Sequence, residues 1–202
     1  MIPSIRYITP PSGSPVSAED FRWQGRIDCD SDARLNQLLE RATLLCQQYS
    51  GRAIMPQRIA YTVIGWPGFY ARMGGLSTEY DENSTFIALP YGPVVQIVSF
   101  QSFDIDNVAT DIDYYVDKQS DPWHVSPESI SSDSISIVVT YDCGMLESDS
   151  IPYDMMSQAI LLTAVYLYEH RGDDLVSSMI YTNSAVINSG AGIILDTMRT
   201  AW

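Results

Sequence analysis

The residues of this chain best suited to chemistry are two histidines, His124 and His170, three cysteines, Cys29, Cys46 and Cys143, and two runs of alternating acids. An imidazole beside a Ser or Cys would serve acyl transfer, and alternating acids would serve calcium binding. Neither set has the sequence surroundings its chemistry needs. There is no GxSxG, no HExxH, and no cysteine in a catalytic motif. His170 reads as a positive charge at the C-terminal end of a helix, and His124 lies in a Pro-Trp-His loop. Asp28, Asp30 and Asp32 match the opening of an EF-hand loop, but Ala33 and Leu39 stand where that loop needs Gly and Glu. Asp104 and Asp106 fail in the same way at Ala109 and Tyr115. Helix capping accounts for the first run and a solvated turn for the second. Gly190-Ala-Gly192 precedes a short helix, but no strand leads into it and no Lys follows, so it reads as a hinge and not a phosphate loop. We therefore expect no catalytic residue, no metal and no cofactor.

Composition narrows the partners. At 202 residues the chain is one domain, or one domain with an elaborate insertion. An apolar fraction of 46% and 13 tyrosines supply a core. Three widely spaced cysteines without a CxxC fit free thiols in a reducing compartment. No signal peptide is expected, since the start lacks a basic segment followed by an apolar one. The net charge of −14 is uneven. Residues 104–149 hold Lys118 alone against eleven acids, whereas residues 1–58 hold seven Arg against six. Affinity for nucleic acid comes from Lys and Arg displacing counterions, so the central region repels phosphate.

The elements that would position these residues follow from periodicity. Residues 1–16, with prolines at 3, 10, 11 and 15, read as an extended arm. Ser17 and Asp20 mark the start of a short helix over about 18–25. A long amphipathic helix follows, capped by one of Asp30, Ser31 or Asp32 and ended by Gly51. Its apolar stripe is Leu35, Leu38, Leu39, Ala42, Leu45, Cys46 and Tyr49; Arg34, Gln37, Glu40, Arg41 and Gln48 fill the wet face. From Gln57 the period changes to two, with strands expected at 57–65, 86–89, 94–103, 114–117, 123–125 and 134–141. Pro90-Tyr-Gly-Pro93 is a turn, and 104–111 an acidic one.

The helix over 152–171 is the unusual element. Pro152 suits its first position and Gly172 its end, and from Ala159 to Tyr168 only Thr163 is polar. It is too apolar for a surface helix and too short for a membrane span. Cover by the amphipathic helix, or by another subunit, is required. Residues 173–192 read as a functional or mobile loop, and a short helix over 193–201 closes the sequence.

Four stretches together resemble a known family. They are Asp30–Met55 with its ending Tyr49-Ser-Gly-Arg-Ala-Ile; Phe86-Ile-Ala-Leu-Pro-Tyr-Gly-Pro-Val-Val-Gln-Ile-Val-Ser-Phe; Asp113-Tyr-Tyr-Val-Asp followed by Ile137-Val-Val-Thr-Tyr-Asp-Cys-Gly144; and Ile151-Pro through Gln158-Ala-Ile-Leu-Leu to Tyr168-Glu-His-Arg171. In that order and spacing they resemble the head–tail connector (adaptor, or head-completion) proteins of tailed bacteriophages, over roughly residues 17–171. The Gly68–Ser84 loop is longer than the family's usual one.

The resemblance implies an α+β fold: a small helical bundle with an inserted antiparallel β-rich region (a meander or small barrel), an extended N-terminal arm and a C-terminal tail. The corresponding divisions are an arm at 1–16, a helical core at 17–56 and 150–172, a β insertion at 57–149, and a flexible tail with a short helix at 173–202. It also implies a non-enzymatic protein of the virion neck, made in the bacterial cytoplasm and assembled as a homo-oligomeric ring, usually a dodecamer. The ring would bind the portal protein and a stopper or tail-terminator protein, and pass DNA without specific binding; no membrane is involved. We expect subunit or portal contacts at Tyr166, Tyr168, Arg171, Ile193, Ile194, Leu195 and Met198. The rival readings are a tail-completion ring protein, a monomeric ligand- or carbohydrate-binding β domain, and an unrecognised hydrolase with a cleft at one of the histidines.

Overall fold

A computed structural model describes residues 2–64, 86–131, 133–145, 151–170 and 184–199. Arg171, Gly172, Trp202 and the 68–84 loop lie outside them. The fold is α+β, as the sequence predicts, and divides into two compact units.

The β unit comprises residues 1–10 and 57–144. Its strands are β1 (Ile2–Thr9), β2 (Gln57–Ile64), β3 (Ile87–Ala88), β4 (Val94–Phe103), β5 (Ala109–Asp111), β6 (Tyr114–Asp117), β7 (His124–Pro127) and β8 (Ser136–Cys143). They form a five-stranded sheet in the order β1-β2-β8-β4-β5 and a three-stranded sheet in the order β3-β7-β6, with every pairing antiparallel. The alternation of β8 places Ile137, Val139, Tyr141 and Cys143 on its buried face. Opposite them stand Val63, Tyr61, Ile59 and Gln57 of β2. The strand ends two residues later than the sequence pattern suggests, because Asp142 and Cys143 continue the pairing with Arg58 and Gln57 of β2. The hydroxyl of Tyr141, itself fully buried, donates to the Pro90 carbonyl, which anchors the Pro90–Pro93 turn. Residues 2–9, expected to be extended, are extended and also paired, along β2. An edge strand tolerates Pro3, whose missing N–H would break an interior ladder. Residues 109–111, expected within an acidic turn, pair with β4 as β5.

The helical unit comprises residues 11–56 and 145–201. Helix α1 (Ala18–Gly25) has a complete capping box between Ser17 and Asp20. Helix α2 (Asp32–Ser50) ends on Gly51 at φ 69°, a left-handed position where glycine carries no Cβ penalty. All five residues expected on the wet face of α2 are exposed, while Leu35, Leu39, Ala42 and Cys46 are buried. Three polar residues, Thr43, Gln47 and Ser50, are buried with them. Thr43 donates to the Leu39 carbonyl, and Gln47 Oε1 accepts from the Ile54 backbone N–H at 3.2 Å.

Helix α3 (Ile151–Glu169) is covered by its own chain. No residue from Ala159 to Tyr168 is exposed. Helices α1 and α2 take part of its surface, and α4 (Ser184–Asn188) and α5 (Ala191–Asp196) take another part. Its polar Thr163 hydroxyl is satisfied by the Ala159 carbonyl at 2.9 Å. The apolar character that pointed toward a second subunit is thus accounted for inside the unit. The segment expected as a loop before the last helix contains α4, and the last helix covers 191–196 instead of 193–201. Val186, Ala191 and Leu195 decide both changes, since burying them against α3 offsets the weak propensity of a Ser- and Asn-rich stretch.

Candidate functional site

The histidines sit in structural positions. His124 Nδ1 lies 2.7 Å from Ser120 Oγ, within one turn. The pair resembles a hydrolase dyad in composition only. The serine hydroxyl faces the Asp117 carbonyl at 3.4 Å, and the Asp117 carboxylate accepts from the Gln119 backbone. The imidazole rests edge-on against Phe86. His170 Nδ1 lies 2.9 Å from the Tyr166 carbonyl, and its ring stacks on Tyr166 at 4.1 Å, closing the end of α3.

The thiols are equally unsuited to attack. Burial pushes Cys46 up to about 12, against the opposing effect of the Thr163 hydroxyl at 3.5 Å. Cys143 is also pushed up to about 12, by burial first, opposed by the Gln57 side chain. A nucleophile needs the thiolate, which these sites disfavour. Cys29 is exposed. At pH 8 a disulfide-exchange reagent should label one thiol per native chain rapidly and the other two only after denaturation; a mass shift of three labels on the native protein would contradict this burial.

The acidic runs have structural partners. The Asp30 carbonyl accepts from Arg22 at 2.8 Å, and Asp32 forms an ion pair with the same guanidinium, which ties α1 to α2. Asp104 Oδ1 accepts from the backbone of Asp106 and Val108 and shapes the β4–β5 turn. Among the described residues no three His, Cys, Asp or Glu side chains converge to hold a metal ion. The Gly190-Ala-Gly192 pattern also has a packing explanation. Gly190 adopts φ 80° at the start of α5, and a Cβ on Gly192 would stand 3.3 Å from the Tyr49 hydroxyl.

The expected contact residues divide sharply. Leu195 is fully buried against the helical core, and Ile194 and Met198 pack partly against it. Ile193, by contrast, is 78% exposed. Tyr166 and Tyr168 are half-buried. The Tyr166 hydroxyl accepts from Asn188 Nδ2 at 3.3 Å, and Tyr168 meets Phe21 edge-on at 6.1 Å. Arg171 lies outside the described residues. The C-terminal segment is also fastened to α2: Tyr49 donates to Asp196 at 2.9 Å, Arg52 Nε donates to the Met198 carbonyl, and Arg199 stands over the Tyr49 ring.

Three features escaped sequence reasoning. Trp23, on α1, is 84% exposed beside an open groove lined by Val16, Asp20, Ser157 and Leu161. The helical period of α1 could have placed it outward, opposite the buried Phe21. Ile105, also 84% exposed, tips the β4–β5 turn with Val108. Across the polar face of the larger sheet, Arg58 grips Asp142 with two bonds of 2.6 and 2.9 Å, and Gln96 adds a third of 2.7 Å. The bonds from Arg58 hold the Asp142 carboxyl below the usual range. Nothing in the sequence pairs residues so far apart.

Among the described residues the candidates are therefore surfaces. The described parts of both units hold exposed apolar side chains and no assembled catalytic group. No family model matches this sequence, and no curated protein matches it. Solved structures do. The fold is similar to that of a chain in the virion of a native gene transfer agent (GTA) particle, with a TM-score of 0.69 and 16% identity over 98% of this chain and 96% of that one. It is similar also to chains from the neck of an empty GTA particle computed with C6 symmetry (TM-score 0.67) and from the neck of a native GTA particle computed with C12 symmetry (0.64), at the same identity and coverage. At this identity the likeness establishes a shared fold along nearly the whole of both chains.

Proposed function

We propose that this protein is a structural, non-enzymatic subunit of the neck of a tailed-phage-like particle, and within the neck a ring-forming adaptor between portal and tail. One observation carries the reading: both units of the chain match, end to end, the fold of chains from particles of this kind, including two neck structures. The ordered motifs quoted above support the same role. So does the scarcity of Lys, since a conduit for DNA must not bind phosphate strongly. The expected assembly is a ring under the portal, usually of twelve copies, with a stopper or tail terminator below it.

A reconstruction of particles from a host expressing the chain tests this directly. A ring of the chain between portal and tail is expected; density at the far end of the tail would identify a terminator, and absence from the particle would overturn the proposal. Portal docking through the C-terminal segment is tested with Ile193→Asp. Removing residues 190–202 would also strip Leu195 from the core, whereas Ile193 is exposed and its replacement should change stability by less than about 0.5 kcal/mol. Portal co-assembly should weaken at least tenfold, and unchanged co-sedimentation would exclude this contact.

A further inference from the structure

An open groove of about 400 Å³ runs between α1 and α3 of the helical unit. Val16, Trp23 and Leu161 supply its apolar lining, and the exposed Asp20, Gln24 and Gln158 its polar rim. Every residue that lines it is among those described. Trp23 is held outward there because Phe21, two residues before it, is committed to the core. An exposed apolar patch of this kind marks an interaction site. Tryptophan is also among the residues that carry most of the binding energy at interfaces.

The complement to this groove stands on the opposite side of the same bundle. Among the described residues of the helical unit, the exposed large apolar side chains are Trp23, Leu44, Ile187 and Ile193. Asp20 is the charged residue of the groove, so a matching surface needs a cation beside its apolar side chain. Leu44 has one, since Arg41, three residues earlier, is exposed on the same face of α2. Among the described residues Arg22, Arg34 and Arg58 form ion pairs and Arg41 does not. Asp20 keeps Oδ1 for it, because Ser17 engages Oδ2 in the capping box. Ile187 and Ile193 lack such a neighbour: Arg199, the cation of the 184–199 segment, stands over Tyr49. The two surfaces also face opposite ways. On α3, Leu161 of the groove and Thr163 are two residues apart, about 200° around the helix, and Thr163 meets Cys46 of α2 at 3.5 Å. On α2, Leu44 and Cys46 are likewise two residues apart, so Leu44 points away from α3.

We propose that the groove of one copy receives the outer face of α2 from the next copy, with Leu44 between Trp23 and Leu161 and Arg41 beside Asp20. Donor and acceptor are different surfaces on opposite sides of the α2–α3 pair, so the joint is head-to-tail. Repeated head-to-tail contacts close into a ring when the rotation permits. The inference rests on the ring reading above and names a contact that would build it.

Cysteine cross-linking in assembled necks tests it. In a Cys29→Ser background, with Cys46 and Cys143 buried, Gln24→Cys or Gln158→Cys is combined with Gln48→Cys. All three side chains are exposed, two of them on the groove and the third one turn beyond Leu44. A short bis-maleimide should give a ladder of dimers, trimers and higher multimers in at least one double variant, and only monomer in each single one. Dimers from a single variant would show like surfaces meeting, which overturns the head-to-tail joint. Rings visible at the neck without any ladder would overturn the joint and leave the neck reading standing; no ring in particles carrying the parent chain would overturn both. Independently, Trp23→Ala should lower ring yield at least tenfold and Arg41→Glu several-fold, in variants that melt like the parent. Adding Gln158→Arg should restore the yield of Arg41→Glu. Full ring yield from either single variant, or no rescue in a double variant that melts like the parent, overturns the contact.

Discussion

Raising the pH from 8 to 11 should destabilise both units, with the urea midpoint of each falling steeply above pH 9. Cys46 in the helical unit and Cys143 in the β unit both titrate near 9.0 when unfolded and are pushed up to about 12 by burial. Folded-state values raised above the unfolded ones mean that this stability is fully present below pH 9 and is lost as pH rises toward 12. Between those limits the unfolded chain has released protons that the folded chain retains. At pH 11 each thiol lies about two units past its unfolded value, which costs about 2.7 kcal/mol per unit at 1.36 kcal/mol per pH unit. Small domains have only about 5–15 kcal/mol in total, so the loss is large. The β unit should fail first. Tyr141 is shifted in the same direction, by burial and then by the neighbouring Cys143, Tyr61, Tyr91 and Tyr7. Circular dichroism against urea at pH 8, 9, 10 and 11 measures the trend. Cys143→Ala should flatten the slope for the β unit and leave that of the helical unit unchanged; equal slopes in parent and variant would refute the assignment.

Leu195→Ala should cost about 2–5 kcal/mol, the range for a buried leucine that leaves a cavity. Leu195 has no exposed surface and packs within the cluster that contains Leu39, Cys46, Ile160 and Ala164. A melting temperature lower by many degrees is expected for the isolated chain, in contrast to the near-neutral Ile193→Asp. The two neighbours separate two functions that a truncation would merge: Leu195 closes the bundle, and Ile193 is available to a partner. If Leu195→Ala melts like the parent while losing portal co-assembly, then the segment leaves the bundle on docking and Leu195 acts there.

These two outcomes bear on how the neck role would be read from mutants. Many substitutions in the 184–199 segment would reduce assembly through folding alone, because Ala191, Leu195, Asp196 and Met198 are each engaged within the unit. Exposed positions on the same segment, Ile187 and Ile193, report on partners instead.

What the sequence determined was local. The capping pair Ser17–Asp20, the stop at Gly51, the stripe from Leu35 to Cys46, the Pro90–Pro93 turn and the alternation of β8 all depend on neighbours within a few residues, and they appear where periodicity placed them. The α+β class followed from the same signals. What needed the tertiary structure was every pairing across distance. β1 finds β2 from 49 to 62 residues away, and Arg58 finds Asp142 from 84. The all-round apolar surface of α3 stated only that cover was needed. Whether α2, α4 and α5 or a second chain supplied it depended on how the backbone folds back, which no local period encodes. The opposed fates of Ile193 and Leu195 show the limit most plainly: in a helix of six residues the phase of burial is decided by the surface it lands on, not by its own sequence.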